Sequence, residues 1–161
     1  MSPRLQYCLA PVFAALAAAP AISAQATKHD VAGRWLFQTS GFDEGCTMGG
    51  TVDFRPTNQR GAYACAFVIE THCTSFGREA EYWRVKESCS AAMKDGQLSI
   101  VSKVDQIEET RVGGAPARLP GYTADMFNVK PSADFKEMIG QQSDRTRRTT
   151  VRFWRDAERL S

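Results

Sequence analysis

The sequence predicts an all-β fold: one antiparallel up-and-down β-barrel of about seven to eight strands, with one short helix before the last strand. Three observations predict it. Apolar and polar residues alternate along most of the chain, as in strands that bury one face. Short turn sequences separate the alternating segments, so that successive strands pair as hairpins. After an N-terminal export signal, about 135 residues remain, which is the size of a single domain.

The composition is that of an ordinary globular domain. Hydrophobic residues make up 43% of the 161-residue chain and charged residues 24%, with a formal net charge of +2. This is enough apolar material for one full core. Disordered, collagen-like and coiled-coil proteins are therefore excluded.

The N-terminal segment Met1–Ala26 has the features of a cleaved signal peptide. Arg4 provides the positive charge, Leu9–Ala19 is the apolar stretch, and small residues precede a cut after Ala24 or Ala26. We expect export, so that the mature protein is periplasmic or secreted.

The mature domain, residues 27–161, is expected to have no integral membrane segment. The apolar stretch of the signal is interrupted by Pro11 and Pro20, and no other segment approaches the roughly 18 apolar residues that a membrane-spanning helix needs. Cys8 precedes the apolar stretch instead of following it, which is the wrong position for lipid attachment. It is expected to be removed with the signal.

The alternation predicts seven strands. It is clearest where Cys46, Met48, Val52 and Phe54 share one face and polar residues occupy the other. In chain order the predicted strands are Val31–Thr39, Cys46–Arg55, Ala62–Cys73, Tyr82–Met93, Gln97–Glu108, Tyr122–Lys130 and Arg147–Arg155.

Turn sequences separate the second to fifth strands. They are Pro56–Gly61, Thr74–Gly77 and Lys94–Gly96, and the last contains an Asp-Gly pair typical of a tight hairpin. Sequential hairpins favour closure into a barrel. A two-sheet sandwich is the alternative, although the long crossovers that it needs are mostly absent.

Two segments interrupt the strand pattern. Gly113–Gly121 is too rich in glycine and proline for a regular element and is predicted as a long loop. Ser132–Gly140 is predicted as a short helix, because serine suits its start, glycine suits its end, and three apolar residues fall on one helical face: Phe135, Met138 and Ile139.

Four cysteines remain after the signal: Cys46, Cys65, Cys73 and Cys89. An even number in an exported chain predicts two disulfides, and their spacing does not resemble the close pairs of structural zinc sites. Cys65 and Cys73 lie on one strand and cannot pair. The hairpin registers predict Cys46–Cys73 with Cys65–Cys89, and the sequential pairing Cys46–Cys65 with Cys73–Cys89 remains the alternative.

The first strand contains a G-x-W motif, Gly33-Arg34-Trp35. In this respect the chain resembles the small secreted barrels of lipocalin, or calycin, type. The resemblance implies that Trp35 closes one end of the barrel and that an arginine of the last strand packs across it. Arg155 shares the face of Val151 and Phe153 and is the better candidate for that arginine. The T-D-Y-type motif of true lipocalins is absent, and the resemblance implies no particular ligand.

No constellation of catalytic residues is evident. The two histidines, His29 and His72, have no apparent partners, and Cys73 is expected to be bridged. The carboxylates Asp105, Glu108 and Glu109 belong to a polar, solvated strand end. We therefore expect no enzymatic activity, no cofactor and no metal site.

The candidate ligand-binding residues are those that the alternation turns into the barrel. Glu87 shares its face with apolar neighbours, so it and Arg155 would bring charge into an apolar interior, either as an ion pair or as a polar anchor for a ligand. Aromatic side chains would either line a cavity or fill it. The predicted site comprises Trp83, Glu87, Phe67, Tyr63 and Arg155.

These observations predict an exported, non-enzymatic binding protein. It would bind a small apolar molecule or an exported partner protein at the open end of the barrel. One alternative is a secreted protease inhibitor that uses the short mature N-terminal segment Thr27–Asp30, and another is an envelope structural protein with a filled core. Nucleic acid is not expected as a partner, because the protein is exported and its pI of about 8.3 is modest.

Overall fold

The computed structural model describes residues 30–41, 45–119, 121–145 and 147–156. The predicted signal peptide lies outside these residues. Within them the chain forms nine strands, which in chain order are β1 (Gly33–Thr39), β2 (Cys46–Pro56), β3 (Ala62–Ser75), β4 (Arg78–Lys94), β5 (Gln97–Val112), β6 (Ala115–Pro116), β7 (Met126–Pro131), β8 (Glu137–Ser143) and β9 (Arg148–Arg155).

Eight of these strands close into one antiparallel barrel. Strands β1 to β5 pair successively, β5 pairs with β7, β7 to β9 pair successively, and β9 returns to β1. The two-residue strand β6 only extends one end of β5. The predicted up-and-down barrel is confirmed, and a sandwich is excluded because one continuous ring of pairings joins all eight strands.

The predicted helix over Ser132–Gly140 is wrong. The chain makes a tight turn there and enters β8, in which Met138 is buried and Ile139 is exposed. The Ser132 hydroxyl accepts a hydrogen bond from the Glu137 N–H and donates one to the Glu137 carbonyl, both at 3.1 Å, so it closes a hairpin instead of capping a helix. The adjacent apolar residues Met138 and Ile139 fit the period of a helix as well as that of a strand. The pairing of β8 with β7 and β9 stabilises the strand.

The described residues contain no helix. It follows that no helix in this part of the chain is long and apolar enough to cross a membrane.

Other boundaries differ near one end of the barrel. The β4–β5 hairpin is longer than predicted, since β4 begins at Arg78 and β5 continues to Val112. The predicted strand Tyr122–Lys130 begins only at Met126, and residues 121–125 extend the predicted loop instead. This lengthened loop carries part of the candidate site.

The two disulfides are Cys46–Cys73 and Cys65–Cys89, as the hairpin registers predicted. Each joins residues that face each other directly on neighbouring strands, β2 with β3 and β3 with β4. The sequential pairing is therefore excluded. Each closes a loop whose cross-link is worth about 3.5 kcal/mol in the chain-entropy account.

The middle of the barrel is filled by phenylalanine side chains. Phe37, Phe67, Phe127 and Phe153 are all buried, and each ring lies close to at least two of the others. The closest pair, Phe67 and Phe127, is stacked with ring centroids 5.0 Å apart. These contacts make the middle of the barrel a packed core.

One end of the barrel is closed by Trp35 and Arg155. Trp35 is fully buried, and its indole N–H donates a hydrogen bond to the Val31 carbonyl at 2.8 Å. The Arg155 guanidinium lies 4.1 Å from the centre of the Trp35 ring system, within the range of a cation–π contact. It also donates to the carbonyls of Asp30, Ala32 and Phe135.

Gly33 is part of this closed end. Its φ of +104° is disfavoured for other residues, and a Cβ atom there would approach Arg155 Nη1 to 3.2 Å. The glycine and the tryptophan of the G-x-W motif thus both serve the same arginine contact. The eight-stranded antiparallel barrel is consistent with a calycin-like barrel.

Replacing Trp35 with alanine should lower the free energy of unfolding by about 3–5 kcal/mol, because a large buried aromatic is lost and a cavity remains. Trp154→Ala is the control, since Trp154 is only half-buried on the outer face of β9. Equilibrium urea denaturation measures both variants. An equal loss for the two would contradict the closing role of Trp35.

Replacing Arg155 with alanine should cost about 1–3 kcal/mol, because buried carbonyls lose their donor. Arg148→Ala, at an exposed position of the same strand, should stay within about 0.5 kcal/mol of the parent protein. The same denaturation measurement compares them, and equal stabilities would contradict the inward orientation of Arg155.

Candidate functional site

A cavity of about 530 Å³ lies at the end of the barrel opposite Trp35. It is formed by residues of β2, β3, β4 and β8 together with the loop that precedes β7. The side chains that matter for its chemistry are Met48, Thr71, Trp83, Tyr122, Asp125 and Gln142. We call this space the open-end cavity.

Asp125 is the carboxylate of its floor and is 1% exposed. Gln142 Nε2 donates to Asp125 Oδ1 at 2.5 Å, and the Tyr122 hydroxyl donates to Oδ2 at 3.1 Å. The main chain is held as well: the Asp125 N–H donates to Ser102 Oγ at 2.9 Å, and the Ser102 hydroxyl donates to the Asp125 carbonyl at 2.8 Å. The loop is thereby tied to β5 and β8.

Burial raises the pKa of Asp125 to about 7. The hydrogen bonds from Gln142 and Tyr122 oppose that rise, because they stabilise the carboxylate form. Near neutral pH this side chain is therefore divided between its protonated and ionised forms.

Glu87 is a second buried carboxyl group and points inward from β4. It is 1% exposed, and neither of its oxygens has a hydrogen-bond partner of ordinary geometry among the described residues. The nearby Ser102 hydroxyl directs its proton to the Asp125 carbonyl instead. Burial, and next the charge of Asp125, raise the pKa of Glu87 to about 8.

Two further features of the cavity are a buried hydroxyl and an aromatic wall. Thr71 Oγ1 makes no hydrogen bond of ordinary geometry in the described part of the protein, although it lies close enough to the Tyr122 hydroxyl to lower the pKa of that group. The rings of Trp83 and Tyr122 lie 5.7 Å apart and are tilted at 55° to each other. Burial raises the pKa of Tyr122, which keeps its hydroxyl protonated as a donor to Asp125.

The five predicted site residues do not form one site. Trp83 lines the open-end cavity and Glu87 lies close to its floor, whereas Phe67 belongs to the packed phenylalanine core. Tyr63 and Arg155 lie at the closed end, where the Tyr63 hydroxyl donates to Asp30 at 2.5 Å.

The suggested Glu87–Arg155 ion pair is not formed. Arg155 donates to main-chain carbonyls at the closed end, and Glu87 has no basic partner among the described residues. Alternation along a strand predicts that a side chain points into the barrel, but it does not predict the position of that side chain along the barrel axis.

Sequence reasoning missed four polar residues of the site: Thr71, Ser102, Asp125 and Gln142. Asp125 was assigned to a strand, and Gln142 lay outside every predicted strand. The one available signal was that Thr71 and Ser102 have the inward parity of their strands. Their meeting depends on contacts between segments that are 17 to 23 residues apart, as in Asp125–Gln142 and Ser102–Asp125.

The outer face of β3, β4 and β5 carries a network of ion pairs. Arg84 lies 3.0 Å from Glu70 and 3.2 Å from Glu108, and Lys86 also contacts Glu108. His72 is half-exposed beside Glu70 at 3.9 Å. These groups form a solvated surface, as the sequence predicted for Glu108, and such exposed pairs contribute little to stability.

No protein-family profile, curated protein or solved structure matches this chain. The function proposed for this chain therefore depends on the geometry of the open-end cavity.

The raised pKa values of Glu87 and Asp125 predict a stability that falls with increasing pH. The folded protein keeps protons that the unfolded chain releases above about pH 4.5, so between pH 5 and 8 unfolding releases protons and becomes easier. The slope should reach at most about 1.4 kcal/mol per pH unit for each retained proton. Urea denaturation at several pH values measures it.

Glu87→Gln should flatten this slope, because the amide has no proton to lose, and Glu81→Gln at the exposed rim should leave it unchanged. Identical slopes for the parent protein and Glu87→Gln would show that Glu87 does not titrate in this range.

Proposed function

We propose that this protein is an exported, non-enzymatic binding protein that holds one small molecule in the open-end cavity. The observation that carries the proposal is a cavity of about 530 Å³ lined by the buried polar groups Thr71, Asp125 and Gln142. Close to Asp125 lies Glu87, whose two oxygens have no hydrogen-bond partner of ordinary geometry among the described residues. Cavities of roughly 300–1,000 Å³ are typical of small-molecule sites. Unpartnered buried polar groups are costly unless something satisfies them.

The position of the cavity also limits the ligand. The phenylalanine core fills the middle of the barrel, so a long apolar chain has no room to enter deeply. Trp83 and Met48 offer apolar contacts, whereas Asp125 and Gln142 offer polar ones. The ligand is therefore a compact molecule with an apolar body and a polar group, which narrows the small apolar molecule expected from the sequence.

Export is supported by the cysteines as well as by the signal sequence. Two disulfides are compatible with an oxidising periplasmic or extracellular location. A relationship to the lipocalin-type proteins is supported by the G-x-W motif and by the packing of Arg155 over Trp35.

A partner protein is the second candidate occupant of this end. Phe76 is fully exposed in the β3–β4 turn, directly after the cavity-lining residues Thr74 and Ser75. An exposed aromatic beside the opening is suited to contact a partner. The protease-inhibitor and envelope-structure alternatives remain predictions, and most of the segment Thr27–Asp30 lies outside the described residues.

Native mass spectrometry of the protein purified from its own exported fraction tests the proposal. We expect a mass excess that disappears on denaturation and corresponds to one small molecule. Thr71→Phe, which fills the cavity, should remove the excess, and Thr150→Phe on the outer face of β9 should keep it. Circular dichroism checks that both variants fold. Bound material that persists in Thr71→Phe would contradict binding in this cavity.

A further inference from the structure

We infer that the ligand of the open-end cavity is a small organic amine, whose ammonium group lies on the cavity floor beside Asp125 and Glu87 and whose apolar body lies against Trp83. This inference rests on the proposed binding function and specifies its ligand class.

The buried oxygens near the cavity floor lack donors. Both oxygens of Glu87 have no hydrogen-bond partner of ordinary geometry among the described residues, and the Thr71 hydroxyl, which lines the cavity, has only the Tyr122 hydroxyl beside it. A protonated amine has three N–H donors and no acceptor, so it supplies what these oxygens need. Charge-assisted hydrogen bonds of this kind are the stronger class.

The charges around the cavity floor also favour an amine. The charge of Asp125 raises the pKa of Glu87, and the charge of Glu87 raises the pKa of Tyr122, so these three groups lie close together. The titratable and charged groups around this floor are Tyr122, Asp105 and Asp125, with Glu81, Asp144 and Arg147 lining the cavity.

Acidic groups thus outnumber basic ones around the floor. A ligand carboxylate or phosphate placed there would meet two buried carboxyl groups. A ligand cation would instead offset the repulsion that arises when both carboxyl groups are ionised.

The side walls of the cavity suit the apolar body of such an amine. Trp83 and Tyr122 form an aromatic pair on one side of the cavity, and Met48 is buried beside them. An aromatic or aliphatic body packs against these side chains, and a cation near an indole face gains a further attraction. An arylalkyl amine therefore matches both the wall and the floor.

Binding should release a proton. Because burial raises the pKa of Glu87 to about 8, this group is mostly protonated in the ligand-free protein at pH 7. An adjacent ammonium group favours the carboxylate, so the Glu87 proton leaves as the amine binds. The affinity should then rise with pH between 6 and 8, by up to about tenfold per pH unit for each proton released.

The experiment uses isothermal titration calorimetry on the full mature protein with three probes of similar size: phenethylamine, the neutral 2-phenylethanol and the anionic 3-phenylpropionate. At pH 8 we expect phenethylamine to bind at least tenfold more tightly than the alcohol, and the acid not to bind. Repeating the titration in buffers of different ionisation enthalpy measures the released proton.

Glu87→Gln is the decisive variant, because it keeps the shape of the side chain and removes its charge. It should lose the preference for the amine and the proton release while still binding the alcohol. Glu70→Gln, on the outer face of β3, is the matched control and should keep both properties. Two-dimensional NMR spectra confirm that each variant is folded and locate the probe through shifts of Thr71, Trp83 and Gln142.

The outcomes separate the two proposals. If the alcohol binds as tightly as the amine, or if Glu87→Gln binds the amine unchanged, the amine inference is overturned and small-molecule binding stands. If none of the probes binds at millimolar concentration, the amine inference is overturned, and native mass spectrometry then decides the proposed function on its own. Binding of the acid in preference to the amine would overturn the assigned charge.

Discussion

The contact of Arg155 with Trp35 joins the first and last strands of the barrel, and the remaining architecture depends on that closure. The pairing of β1 with β9 brings the two residues together, and the guanidinium then binds carbonyls of the segment before β1 and of the turn before β8. The Arg155 side chain thus links its own strand, β9, to the segment before β1 and to the turn before β8. With this end closed and the middle filled by phenylalanines, the inside of the barrel opens only opposite Trp35 in the described part of the chain.

The open end differs from the rest of the interior. Apolar side chains fill the middle, and the Arg155 guanidinium finds carbonyl acceptors at the closed end. At the open end, Glu87 and Asp125 are carboxyl groups held away from water. Burying an ionised carboxylate without a cation is unfavourable, and the raised pKa values express that cost. Perturbed titration is frequent where proteins bind or react. The combination of such groups with a cavity is the reason to place function here.

The two disulfides lie toward opposite ends of the barrel. Cys65–Cys89 lies toward the closed end and Cys46–Cys73 at the opening, so the register of β2, β3 and β4 is fixed covalently along most of its length. Trp83 and Glu87 lie on β4 between those bridges. Their positions relative to Thr71 on β3 are therefore determined by the covalent register as well as by the backbone hydrogen bonds.

The sequence by itself determined the features that depend on local patterns. Alternation placed most strands, turn residues set the hairpin registers, and those registers paired the cysteines correctly. Local pattern also turned Arg155 and Glu87 inward. Local pattern failed at Ser132–Gly140, where two adjacent apolar residues fit a helix or a strand. There the segment forms a strand because it pairs with β7 on one side and β9 on the other.

Only the tertiary structure determined the site. Whether two inward-facing residues meet depends on their positions along the barrel axis and on which strands are neighbours. The alternation of apolar and polar residues predicts neither of these. This is why Arg155 and Glu87 were placed together from parity although they lie at different heights. The same reason explains the floor of the cavity, where the Asp125 loop packs against Ser102 and Gln142 on two different strands.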